Sequence, residues 1–151
     1  MRIGMIAAAL AATLAAGSAF ANEGVEARQK LMKAIGGDVK GIAGYVKGEN
    51  QETPADVGKR AAMIKANAMK IGGAFNDEIH VENANGVETT ASPAIWQKHD
   101  GFLAAASDLE TAAGALEVTA AGGDKAAIAA SFGAMTKTCG GCHTVYRVKK
   151  N

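Results

Sequence analysis

Aromatic side chains make up only 5% of this 151-residue chain, there are two prolines and two cysteines, and neither sign of charge prevails. Two prolines exclude a proline-rich linker, and nineteen glycines without a G-x-y period exclude collagen. The balance of 16 basic against 15 acidic residues leaves no electrostatic basis for nucleic-acid binding. No nucleophile, base or carboxylate pair stands in a recognisable catalytic arrangement, so the chain does not read as an enzyme. The apolar fraction, 48%, is led by alanine, a helix former and poor strand material, which disfavours an all-β fold. The length suits one domain.

The first segment reads as a targeting sequence. Met1-Arg2 gives a short positive start, Ile3 to Ala16 is almost wholly apolar, and Ala19-Phe20-Ala21 has the small-x-small form of a signal-peptidase site. The apolar run falls short of the roughly 20 residues a membrane span needs; a retained anchor is the alternative. Residues 1–21 are therefore expected to be a signal peptide cut after Ala21, leaving residues 22–151 as one exported, periplasmic domain. Loss of Arg2 leaves that part with 15 basic and 15 acidic residues.

Four helices are expected there. Val25, Arg28, Met32, Ile35, Val39, Ile42 and Val46 alternate spacings of three and four, which keeps them on one helical face. Thr53-Pro54 is a helix start, followed by the stripe Val57, Ala61, Ile64, Ala68, Ile71 and Phe75, with Gly72-Gly73 weakening its end. Residues 76–91 are polar, carry the turn signal Asn85-Gly86, and read as a long loop. Ser92-Pro93 repeats the start signal ahead of Ile95, His99, Phe102, Ala106, Leu109, Ala113 and Leu116. Gly122-Gly123 breaks the chain, and Asp124 caps a last helix with Ile128, Phe132, Thr136, Cys139, His143 and Tyr146 on one face. Amphipathic segments with mostly short connections favour an all-α, antiparallel four-helix bundle. Its alanine-rich stripes would leave an underfilled core unless something large and apolar sat inside it.

The chemistry is concentrated in Cys139-Gly140-Gly141-Cys142-His143, which holds both cysteines. C-x-x-C-H is the attachment signature of c-type haem. Each thiol can add to a haem vinyl group to form a thioether, and the adjacent imidazole supplies an axial nitrogen to iron. A thioredoxin-like dithiol would open a helix after a strand, whereas this motif lies deep in a helical run. A structural zinc site would need further ligands, and His80 and His99 are the only other histidines.

Only eight residues follow His143, so iron's other axial face must be served from upstream. Met135 lies about 12 Å along the same helix and cannot wrap to that face. Met63 and Met69 fall beside their helix's stripe, and His99 sits near a helix start. Met32 is centred on the first helix's apolar face, one turn after Arg28. An arginine on an apolar stripe needs an anion or a route to water, and a haem propionate would supply the anion. The alternative is that Arg28 snorkels while Met32 merely packs.

These residues together resemble the class II c-type cytochromes, the family of cytochrome c′ and low-spin cytochrome c-556. The resemblance rests on Arg28-Gln29-Lys30-Leu31-Met32-Lys33, on Pro93-Ala94-Ile95-Trp96, and on Cys139 through His143 continuing to Tyr146-Arg147. It implies a left-handed antiparallel bundle with one covalent haem, Arg28 and Gln29 beside it, and often a homodimer through the first two helices. Gly37, Gly41, Gly44 and Gly48 would permit close approach there. If the Met32 sulfur binds iron, the haem is low-spin and suited to outer-sphere electron transfer with redox partner proteins. If Met32 only packs, the haem is high-spin and five-coordinate and takes NO or CO. Lys30 to Lys33 looks more like the low-spin group. Arg147, Lys149 and Lys150 favour the negative end of the last helix and offer a docking patch for a redox partner.

Overall fold

The computed structural model describes residues 11–84 and 86–149, with side chains from residue 23 onward. The expected cut after Ala21 falls where no side chain is described, and most of the apolar run, Asn85 and Lys150 lie outside the described residues. Six helical segments follow one another: α1 (Ala11–Lys47), α2 (Pro54–Ala68), α3 (Ile71–Ala74), α4 (Ala94–Gln97), α5 (His99–Ala121) and α6 (Lys125–Tyr146). The four long ones form an antiparallel four-helix bundle in which α5 packs on α2 and α6, and α1 on α2.

Local chemistry explains where α2 begins. Thr53 is extended (φ −102°, ψ 165°), Pro54 takes the first helical turn, and Thr53 and Asp56 form a reciprocal cap. The Asp56 backbone N–H donates to Thr53 Oγ1 at 3.3 Å, and the Thr53 backbone N–H donates to Asp56 Oδ2 at 3.1 Å. Asp124 caps α6 likewise, accepting from the Ala127 N–H at 2.7 Å, and Gly123 makes the preceding turn at φ +75°.

The predicted α2 stripe, Val57, Ala61, Ile64, Ala68, Ile71 and Phe75, is buried throughout. It meets Ile95, Phe102, Ala106, Leu109, Ala113 and Leu116 of the α4–α5 arm, and Ile128 and Met135 of α6. Each fully buried isoleucine or leucine contributes about 2–3 kcal/mol of transfer free energy. The four alanines among these core positions hold the helices close but add little bulk.

One expectation needs correction. The helix begun at Ser92-Pro93 is interrupted at Lys98 (φ −128°, ψ 47°), which separates α4 from α5. The interruption turns Trp96 so that its Nε1–H donates to the Phe75 carbonyl at 3.0 Å. The 76–91 loop is also tied down at its end, where Ala91 and Arg147 form an antiparallel bridge and the Ser92 N–H donates to the Tyr146 carbonyl. Two of the α1 glycines, Gly41 and Gly44, make room for side chains from elsewhere in the same chain. A Cβ on Gly41 would strike the Arg60 guanidinium, and one on Gly44 would strike Asn50. Arg60 lies across Gly41 to reach Asp38 at 3.1 Å and Glu52 at 2.6 Å, joining α1, α2 and their connection.

The cap sets a pH dependence. Hydrogen bonds from Thr53 are the first cause of an Asp56 pKa lowered to about 2 from 3.8. A carboxylate with a depressed folded-state pKa contributes stability above its unfolded value and loses it as pH falls through the folded one. Thr53→Ala should therefore lower unfolding free energy by about 1 kcal/mol at neutral pH, with the gap narrowing as urea melts are taken from pH 3.8 toward 2. An unchanged midpoint at pH 7 would show that the cap does not stabilise α2.

Candidate haem site

Between α1, the α3 corner, α5 and α6 lies a mostly apolar cleft of about 520 Å³. Cys139, Cys142, His143, Tyr146 and Arg147 of the C-terminal segment line it, as do Arg28, Gln29 and Met32 of α1. Every residue in the predicted site therefore reaches one cavity, although those on α1 and α6 are more than a hundred positions apart.

α6 places the motif in its last two turns. Cys139 and Cys142 are three positions apart and both partly buried against the core, and His143 is exposed along the cleft. Burial is the main cause of a raised pKa at both thiols, with Cys139 adding to the effect at Cys142. This is the opposite of the lowered thiol pKa that a disulfide-exchange enzyme uses, and no strand precedes the motif among the described residues. The His143 pKa is lowered, first by partial desolvation of the ring where it lies along the cleft and then by the charge of Arg147, which favours the neutral imidazole that binds a metal. Two neutral thiols and a neutral imidazole on one apolar wall fit covalent haem c with an axial nitrogen. No group of three or more His, Cys, Asp or Glu among the described residues is arranged to hold a bare metal ion.

Of the other candidate ligands, Met63 and Met69 are exposed, 55% and 66%, and Met135 is fully buried in the core. His99 is exposed and absent from the cleft wall. Among the methionines of the described residues, Met32 alone lines the cavity, half-buried and packed against the core.

Arg28 lines the cleft wall but is only 3% exposed, and Asp77 provides a counter-charge for it within the protein. Nε donates to the Ala74 carbonyl at 2.9 Å, Nη1 to the Ile79 carbonyl at 2.7 Å, and Nη2 to the Asp77 carbonyl and carboxylate. The guanidinium also lies 4.7 Å from the Phe75 ring centroid and 5.4 Å from that of Trp96. Four donor contacts leave one Nη1–H for anything in the cleft. Gln29 likewise turns its amide to the Glu88 carbonyl at 2.8 Å, which fixes the 88–91 rim. Asp77 went unnoticed because it lies in a polar loop with no periodic signal. The one cue was the cation on an apolar stripe, which called for a partner somewhere.

Known proteins are similar to this chain in sequence and fold. The family model described as Cytochrome C' matches residues 23–147. A cytochrome c-556 of Agrobacterium fabrum is 37% identical over 144 residues, covering 95% of this chain and 94% of that protein. A cytochrome c' of Pararhodospirillum photometricum is 33% identical, covering 82% and 94%. Among solved structures, cytochrome c' from Rhodopseudomonas palustris superposes with a TM-score of 0.74 at 30% identity, covering 85% of this chain and 98% of that one.

Removing the Arg28 guanidinium orphans three carbonyls and a carboxylate. Arg28→Ala should cost about 3 kcal/mol or more in urea unfolding, and Arg28→Lys most of that, because one ammonium cannot reproduce the fork. A loss below 0.5 kcal/mol, the usual range for a surface substitution, would show that the loop is held by other means.

Proposed function

Because this chain belongs to the cytochrome c′ family, electron-carrying proteins with covalently attached haem c, we propose that it is an exported one-electron carrier with iron held between His143 and Met32. Cys139 and Cys142 hold the macrocycle as thioethers, and His143 supplies the proximal nitrogen. The bound haem contributes reversible one-electron exchange between ferric and ferrous iron. The observation that carries the reading is the single cleft in which both cysteines, His143 and Met32 meet.

The surrounding residues shape that exchange. Ile35, Val39, Ile71, Phe75, Leu109 and other apolar side chains keep water from the cavity. A low-polarity shell and a Met/His pair both raise the reduction potential. Anchoring of Arg28 and Gln29 fixes α1 and the 88–91 rim, so little reorganises when the charge on iron changes. The remaining Nη1–H of Arg28 serves a propionate. Arg147 and Lys149, exposed at the C-terminal end of α6, form a positive docking surface beside the cleft. Export follows from the signal-like residues 1–21, and no helix among the described residues is long and apolar enough to cross a membrane.

A second reading is a high-spin, five-coordinate protein that binds NO or CO where Met32 only packs. It is favoured by the presence of proteins named cytochrome c' beside cytochromes c-556 among the relatives. Absorption spectra of the matured protein separate the two. The His/Met reading predicts a low-spin reduced spectrum with a sharp α-band, converted to a high-spin one by Met32→Ala, with a lower reduction potential. A high-spin wild-type spectrum, or one that Met32→Ala leaves unchanged, removes Met32 from the iron and leaves the gas-binding reading in place.

A further inference from the structure

Two walls of the cleft belong to helices that pack on different neighbours: α1 lies chiefly on α2, and α6 chiefly on α5. Met32 stands on the first wall and His143 on the second. A ligand pair works only when its parts are held within about 0.5 Å of the productive geometry. The end of α6 is not self-sufficient in this respect. His143 lies in its last turn, where carbonyls lack intrahelical donors, and Arg147 leaves the helix extended (φ −127°, ψ 128°) instead of closing it with a left-handed glycine. The missing partners come from the far end of the 76–92 loop. The Ser92 N–H donates to the Tyr146 carbonyl at 3.1 Å, and the Val148 N–H to the Thr90 carbonyl at 2.9 Å, on either side of the Ala91–Arg147 bridge. The Tyr146 ring meets Phe102 edge-on at 5.3 Å, its hydroxyl over Gly101, where a Cβ would stand 2.7 Å away.

The same loop is fastened to the opposite wall. Gln29, one turn before Met32, donates to the Glu88 carbonyl, and Arg28 holds the Asp77 and Ile79 carbonyls. The Val81 N–H donates to the Ala91 carbonyl at 3.0 Å, which joins the two halves of the loop. A chain of hydrogen bonds thus runs from the helical turn of Met32, through residues 88–92, to the helical turn of His143. We propose that residues 88–92 are a strap that sets the span between Met32 and His143, with Gln29 and the backbone N–H groups of Ser92 and Val148 as its positioning groups. The inference rests on the reading that Met32 is the sixth ligand. The macrocycle is tied covalently to α6 through Cys139 and Cys142, and α1 has no such tie. A slack strap therefore weakens the bond to Met32 first.

The test is imidazole titration of the ferric holoprotein, followed by absorption, in wild type, Val148→Pro, Val148→Ala, Gln29→Leu, and Met32→Ala with and without Val148→Pro. Proline removes the N–H and is compatible with the extended Arg147 before it, whereas alanine keeps the donor. Val148→Pro and Gln29→Leu should each raise the apparent imidazole affinity about fivefold, the equivalent of one lost hydrogen bond, and Val148→Ala should behave as wild type. In the Met32→Ala background, with no sulfur to displace, Val148→Pro should leave the affinity unchanged. An equal rise in both backgrounds would mean that the strap steadies His143 or shields the cleft, and would overturn the inference. So would failure of both Val148→Pro and Gln29→Leu to retain haem, which would assign the strap to assembly of the cleft. A high-spin wild-type spectrum withdraws Met32 ligation and this inference together, whereas a low-spin wild type with unaltered affinities in both variants overturns the inference alone.

Discussion

The constraint on which the rest of this structure depends is a shortage of side-chain volume. Four amphipathic helices bring together faces rich in alanine, and such faces close tightly only where isoleucine, leucine and phenylalanine are interleaved with them. The α2–α5 seam has that mixture: Val57, Ile64, Leu109, Leu116 and Phe102 enclose Ala61, Ala106 and Ala113. Where α1 faces the end of α6 the helices stand further apart, and a cleft of about 520 Å³ lies between them, walled by Ile35, Val39, Ile71 and Phe75. An apolar cavity of that size is a poor resting state for a protein interior, whose packing elsewhere approaches crystal density. The two thiols and the imidazole stand on its wall, so the group that fills the void is also the group they attach. Core and cofactor site are then one requirement met once.

Holding such a cleft in shape falls to polar groups that the apolar pattern does not reveal. Arg28 is the clearest case. Its charge sits in the protein interior, faced by Asp77, three carbonyls and two aromatic rings. The loop after α3 thereby becomes a wall, and α1 is fixed one turn before Met32. Gln29 and the Ala91–Arg147 bridge do the same for the opposite part of the rim.

Much of this was legible in the sequence, for reasons that can be named. The helices were readable because three-four periodicity survives alanine substitution; the buried set of α2 and of the α4–α5 arm falls on the predicted stripes, except for His99, which lies exposed at the Lys98 break. Caps at Thr53 and Asp124 were readable because their hydrogen bonds span three residues. The C-x-x-C-H motif was readable because thioether attachment fixes spacing along a single helix. Long-range polar partners were not: Asp77 lies 49 positions from Arg28, and nothing in either neighbourhood points to the other. The side chains that lie against Gly41 and Gly44, Arg60 and Asn50, were likewise invisible, since they come from outside the helix.

The central claim is that the cleft is filled by a macrocycle bonded to this polypeptide through Cys139 and Cys142. It is tested most directly by intact mass of the protein matured in a cell that attaches c-type haem, measured after denaturation in acid and organic solvent. The account predicts residues 22–151 carrying one haem that does not separate from the chain, and a variant with both cysteines replaced by serine that carries none. A polypeptide of bare mass, or a haem that dissociates on denaturation, would contradict it.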